Sequence, residues 1–163
     1  MTERRWLTRH SGPAVFSPCE RYRYRLERIL GPGPALGVVM INPSRATADL
    51  DDPTIDRVQA VCSRLGFGRA IIGNLFAWRT SDVAELAKLP DPVGPDNDAH
   101  LEALAREADT ILVAWGAPGP LFAMNFSNEG IHNDAEKKLV GGICFGSPTI
   151  TTFLPRAIAP TAS

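Results

Sequence analysis

The sequence has no apolar run approaching the about 20 residues that a membrane-spanning helix requires. Its opening residues, Met1-Thr2-Glu3-Arg4-Arg5-Trp6, lack the apolar stretch of a secretory signal. Cysteine is scarce: Cys19, Cys62 and Cys144 are three in 163 residues. An odd count with no close spacing argues against a disulfide framework and for a reducing compartment. No CxxC pair occurs, so no zinc site is expected, and each cysteine reads as a small buried apolar residue. These absences together predict a cytoplasmic protein with no membrane partner.

Net charge is also small, −1 at neutral pH. No global field draws the chain to nucleic acid. The distribution is uneven, because residues 1–28 hold seven arginines against three glutamates, a local +4 that leaves −5 for the remainder. Two readings fit this segment: a basic patch, or the solvated polar face of an edge strand. The glycine-rich turns match neither a P-loop nor a dinucleotide fingerprint. None of the three histidines, His10, His100 and His132, falls at a predicted strand end, and His100 reads as the solvent-facing residue of a helix. A Ser-His-Asp triad is unsupported, and no cofactor or metal is implied.

What remains is the composition of a globular domain, 44% hydrophobic and 21% charged. A single domain over residues 1–163 can bury roughly 70% of its unfolded surface without a staple. Residues 21–30 alternate with period two and predict a strand, with Tyr22, Tyr24 and Leu26 inward and the arginines outward. Residues 35–41 are a continuous apolar run, a central strand covered on both faces, and Asn42-Pro43-Ser44 stops it. Pro53 and Thr54 open a helix with Ile55, Val58, Cys62 and Leu65 on one face, closed by Gly66. A second buried strand precedes Asn74. A short helix over residues 81–89 has Asp82 and Glu85 at capping-box spacing. A further helix spans residues 96–108, with Leu101, Leu104 and Ala108 apolar, and a third strand spans residues 110–115. Residues 136–140 look helical, and residues 143–145 look like a last strand. Alternating strands and helices predict an α/β fold with a mostly parallel sheet.

In such sheets ligands bind beyond the carboxyl ends of the strands. Three strand ends carry suitable groups: Asn42 with Ser44, Asn74 with Phe76, and Trp115. Asn42 is placed to orient a water through its carbonyl oxygen. Asn74 offers a donor and an acceptor on one plane, which suits a base edge. Phe76 or Trp78 offers a stacking ring. Asp49, Asp51 and Asp52 are candidates for a general base or a cation site, although Asp residues ahead of Pro53 also suit a helix N-terminus. Arg79 is a phosphate candidate.

Five separated motifs then occur in order: Val39-Met40-Ile41-Asn42-Pro43-Ser44, Asp51-Asp52-Pro53-Thr54, Asn74-Leu75-Phe76 with Arg79, Asp91-Pro92-Val93-Gly94-Pro95-Asp96-Asn97-Asp98, and Ala114-Trp115-Gly116. Over about residues 20–120 they resemble a bacterial and phage family of unknown function, number 1643, which brings no activity with it. Ile41-Asn42-Pro43, Ile72-Gly73-Asn74 and Leu112-Val113-Ala114-Trp115-Gly116 are more distantly similar to motifs of the uracil-DNA glycosylase superfamily. That second resemblance implies a three-layer α/β/α fold, with Asn42 orienting the attacking water and Asn74 reading the base. Where those families carry a late histidine, this chain reads Phe153-Leu154-Pro155-Arg156-Ala157.

The expectation is therefore a nucleobase- or nucleotide-directed protein. Its enzymatic form is an N-glycosidic hydrolase with Asn42, Asp51 and Asp52 catalytic and Ser44, Asn74, Phe76, Arg79 and Trp115 binding substrate. Arg21, Arg23, Arg25 and Arg45 would contact nucleic acid. The alternative is a non-catalytic nucleotide or nucleic-acid binding module.

Overall fold

The computed structural model of the chain describes residues 9–114 and a strand at Leu139–Gly142. The fold is mixed α/β. Six strands form one sheet: β1 (Ala14–Phe16), β2 (Arg23–Ile29), β3 (Ala35–Met40), β4 (Arg69–Asn74), β5 (Thr110–Val113) and β6 (Leu139–Gly142), in the order β1-β2-β4-β3-β5-β6. β3 pairs parallel with both β4 and β5, and β5 with β6, whereas β2 runs antiparallel to β1 and β4. The three central strands are the parallel neighbours that their apolar runs predict, while the N-terminal strands make the sheet mixed.

Helix α1 (Pro53–Leu65) connects β3 to β4, and α2 (Asn97–Glu107) carries the chain back across β3 to β5. The two crossovers run in opposite directions. A right-handed crossover therefore puts the helices on opposite faces. Side-chain alternation agrees. Leu36, Val38, Met40 and Ile72 cluster with Ile55, Val58 and Cys62 of α1, whereas Ala35 and Ile71 pack with Leu104 of α2. Leu65, expected on the buried stripe of α1, is 61% exposed as the last residue of the helix. A Cβ on Gly37 would lie 2.8 Å from Leu104 Cδ2, and one on Gly73 would lie 2.8 Å from Leu101 Cδ2. The two glycines thus form the seat on which α2 approaches the sheet.

The helix ends follow local chemistry. Asp52 caps α1 by accepting from the N–H groups of Thr54 and Ile55, and Gly66 ends it at φ 80°. Asp82 caps a short 3-10 helix at Val83–Lys88, where a helix is predicted. Leu139–Gly142 is a strand parallel to β5, so the helical reading of residues 136–140 fails there; pairing with β5 outweighs a short-range pattern. Residues 143–145 lie outside the described residues.

The largest correction concerns β2. Its arginines do not face solvent: Arg23 is 1%, Arg25 9% and Arg28 0% exposed. β2 is not an edge strand, because β1 pairs with its outer side. Val15 pairs with Arg25 but Phe16 with Arg23, so Tyr24 is an extra residue in β2. That irregularity breaks the period-two pattern. Arg23 then reaches Ala46, in the cluster beside α1, while Tyr24 stacks on His100 and Arg25 reaches Glu107, both on the α2 side. His100 is accordingly half-buried rather than solvent-facing.

Candidate functional site

The segments that leave β3 and β4 set the geometry at the carboxyl edge. Met40 pairs with Asn74 in register, and the ladder continues as Leu75 and Phe76 donate backbone N–H groups to Met40 and Ile41, both at 2.9 Å. Beyond it, Asn42 Nδ2 donates to Thr80 O at 2.8 Å and to Pro43 O at 3.2 Å, while Thr80 N donates to Pro43 O at 3.0 Å. The Asn42-Pro43-Ser44 turn is thereby stitched to the segment after β4. With its amide nitrogen so fixed, the Oδ1 of Asn42 accepts no hydrogen bond among the described residues.

Three further elements hold that segment. Asn97, fully buried at the start of α2, donates from Nδ2 to the carbonyls of Asn74 and Leu75 at 2.9 and 3.1 Å. Ala77 and Trp78 donate to Val93 and Pro92, each at 3.1 Å. Gly94, at φ 89°, lies so close to Tyr22 that a Cβ there would stand 2.7 Å from the ring. The Asp91–Asp98 motif is therefore a brace, which explains its mixture of turn and amide residues. On the opposite side, Arg79 N donates to Arg21 O, and Arg23 N to Ala77 O, both at 2.9 Å.

An open groove of about 450 Å³ lies here, lined by Ser44 and Arg45 from the segment after β3, Trp78 and Arg79 from the segment after β4, and Arg21. Glu20, Thr80 and Ser81 complete the lining. Ser44 Oγ and Ser81 Oγ, both in its lining, lie 3.0 Å apart, within hydrogen-bond distance. The Arg21 guanidinium lies 5.9 Å from the Trp78 ring centroid, and that of Arg79 lies 4.9 Å from the Phe16 ring. Arg79 also donates to Glu20 O at 3.1 Å. Three guanidinium groups against one carboxylate, a half-buried indole and three hydroxyls suit an anionic ligand with a flat ring.

The groove thus brings together Ser44, Arg79, Arg21 and Arg45 of the predicted residues. It does not include Asn42, Asn74 or Phe76, none of which lines it. Asn74 is 1% exposed, with a buried Oδ1 that finds no partner among the described residues. Phe76 is half-buried. Trp115 lies outside the described residues. Arg23 and Arg25, predicted to contact nucleic acid, are buried in bonds of their own. Asp51 and Asp52, predicted catalytic, have other duties: Asp51 is buried and accepts from Arg28 Nε at 2.8 Å and from Gln59 Nε2 at 2.9 Å, and Asp52 caps α1. Among the described residues no group of His, Cys, Asp or Glu side chains is arranged to hold a metal ion, Asp49 with its neighbours included. Sequence reasoning missed Glu20, Thr80 and Ser81. The only signal for the last two was their position a few residues beyond a strand end.

This is a mixed α/β domain with a basic, indole-bearing groove at the carboxyl edge of its central strands. A family model described as "Protein of unknown function (DUF1643)" matches residues 23–146, and the chain belongs to that family. No curated protein and no solved structure matches the sequence.

Proposed function

We propose that the protein recognises a phosphate-bearing nucleotide or a nucleic-acid strand in the groove, as a binding module. The observation that carries this reading is the convergence of Arg21, Arg45 and Arg79 with Trp78 and a pair of serine hydroxyls. Guanidinium groups bind phosphate oxygens in bidentate fashion, and an indole stacks on any base. The engagement of Asp51 and Asp52 elsewhere favours binding without catalysis.

A second reading, N-glycosidic hydrolysis, draws support from Asn42, whose anchored amide leaves Oδ1 free to orient a water. In that reading Asn74 reads the base and Phe76 stacks on it, within a three-layer α/β/α fold of the uracil-DNA glycosylase kind. The helices on opposite faces and the parallel β4-β3-β5 strands support that fold. Cys19 and Cys62 are free thiols, which suits the reducing cytoplasm.

The test is binding of nucleotides and of single- and double-stranded oligonucleotides across a salt series. Arg45→Gln and Arg79→Gln should each lower the slope of log K against log salt by about one. No binding at low salt rejects the reading. Release of free base by wild type, abolished in Asn42→Ala, selects the hydrolase.

A further inference from the structure

The groove is lined by one acidic residue, Glu20, among Arg21, Arg45 and Arg79. Beside an anionic ligand a carboxylate weakens binding by repulsion unless it has other work. Glu20 has none within the protein. Among the described residues its carboxylate makes no hydrogen bond and no ion pair, although Arg21 is its chain neighbour and Arg79 Nη1 donates to its main-chain carbonyl at 3.1 Å. Its main chain is fixed. Glu20 stands at φ 57°, the one residue other than glycine at positive φ among the described residues. The turn that keeps it there is closed by Glu20 N donating to Ser17 O at 2.9 Å, Ser17 N to Tyr22 O at 3.0 Å and Tyr22 N to Ser17 Oγ at 3.1 Å. Glycine or asparagine takes this conformation more easily, so the turn does not explain a glutamate.

Its position relative to the indole does. Tyr22 bridges to Trp78, and one residue further on Arg79 N donates to Arg21 O at 2.9 Å. Glu20 comes next along the same segment. Glu20 and Trp78 are therefore diagonal neighbours on two antiparallel segments, and both line the groove. Diagonal neighbours of this kind are close enough for a ring system stacked on one to meet the side chain of the other.

Resting on the reading of the groove as a nucleotide site, we propose that Glu20 is its base-reading residue and selects guanine. An ionised carboxylate only accepts hydrogen bonds, and it does so through two oxygens. Guanine presents two adjacent donors on its Watson–Crick edge, the N1–H and the N2 amino group, and one carboxylate meets both. Adenine and cytosine each place an acceptor nitrogen beside their amino group, which a carboxylate repels, and uracil flanks its single N–H with two carbonyls. The indole stacks on any base and the arginines hold any phosphate, so neither discriminates. Guanosine monophosphate and a guanine in a single strand share this edge. A duplex occupies it in pairing and is excluded.

The experiment uses the full chain and two sets of probes: the 5′-monophosphates of guanosine, inosine, adenosine, cytidine and uridine, and short thymine-rich single strands carrying one guanine or one adenine. In wild type, the guanine member of at least one set should bind about tenfold or more tightly than the adenine member. Which set responds identifies the source. Inosine monophosphate, which lacks the N2 amino group, should fall between guanosine and adenosine monophosphates. Glu20→Gln turns one acceptor into a donor and should erase the guanine preference without weakening the binding of adenosine monophosphate. Glu20→Gly suits φ 57° and should erase the preference without lowering the thermal midpoint of the free protein, whereas a purely structural glutamate would lower it. Arg106→Gln, on the exposed face of α2, should change nothing. The proposal is overturned if wild type binds all the bases alike, a measurement that needs no variant, if guanosine and inosine monophosphates bind equally, or if Glu20→Gln keeps the preference. Should nucleotides bind regardless of base, with Arg45→Gln and Arg79→Gln still weakening them, the groove reading stands and the guanine reading falls. If nothing binds, both fall.

Discussion

Arg28 and Asp51 form an ion pair at 2.8 Å in which neither side chain is more than 5% exposed. Arg28 also donates to the carbonyls of Glu27, Thr47 and Leu50, so a single guanidinium pins the loop between β3 and α1 to β2. Removing one partner of such a pair strands a buried charge. Asp51→Asn should therefore destabilise the domain by about 3–5 kcal/mol. Urea unfolding checks this. A variant that unfolds like wild type but loses a measured activity would restore Asp51 to a chemical role.

Asn97→Ala deletes the amide that satisfies the carbonyls of Asn74 and Leu75 at the exit of β4. The expected cost is about 1–3 kcal/mol, the penalty for buried acceptors left unpaired. Thermal or chemical denaturation measures it. A neutral result would mean that water replaces the amide, and that α2 is not needed to brace the strand exit.

The glycine seat of α2 predicts an ordering. A Cβ at Gly37 meets Leu104 Cδ2 at 2.8 Å and Ala108 Cβ at 2.9 Å, and the latter moves only with the helix backbone. A Cβ at Gly73 meets only the terminal methyls of Leu101 and Leu104, which can rotate away. Gly37→Ala should cost roughly 1–3 kcal/mol by overpacking, and Gly73→Ala less. Equal midpoints for the two variants would contradict the seat.

Glu107 titrates below its ordinary value, held there first by hydrogen bonding to Arg25 and then by the charges of Arg25 and Arg69. A carboxylate depressed in the folded state adds stability above its unfolded value, and that stability is lost as pH falls through the folded one. Glu107→Gln should therefore destabilise the protein at pH 7, and the gap from wild type should close below the ordinary value of 4.5. Because the Glu107 side chain is 40% exposed, solvent screening keeps the effect small. Denaturation midpoints of the two proteins between pH 3 and 7 give the answer, and a gap that widens in acid would reverse the sign.

The legible parts of this fold were those governed by one local rule. Residues 35–41 and the apolar run before Asn74 read as central strands because both faces are covered, and a continuous apolar run has no other short solution. Pro53 and Gly66 declared the ends of α1 by local chemistry, whereas Asp52, read as catalytic, is its cap. β2 was misread because alternation assumes one wet face and an unbroken pleat. The extra residue Tyr24 removes the second condition, and α1 with α2 removes the first. The groove was half-legible. Ser44 and Arg79 follow strand ends and were found by that rule, but the rule also selected Asn42, Asn74 and Phe76. Their side chains do not line the groove, and no spacing encodes which way a residue past a strand end turns. Asp51 looked like chemistry because its partner, Arg28, lies 23 residues away, on a strand thought to face water.

β1 is three residues long, half-buried, and paired along one edge only. Short outer strands exchange their amide protons through local openings, far more often than the whole domain unfolds. Phe16, its last residue, is the ring on which the Arg79 guanidinium rests. Each fraying of β1 thus releases Arg79 from its stacking partner while β3 and β4 stay intact. The Arg79 side of the groove has its own opening rate, decoupled from global stability, and hydrogen exchange at the amides of residues 14–16 is a clock for how often it rearranges.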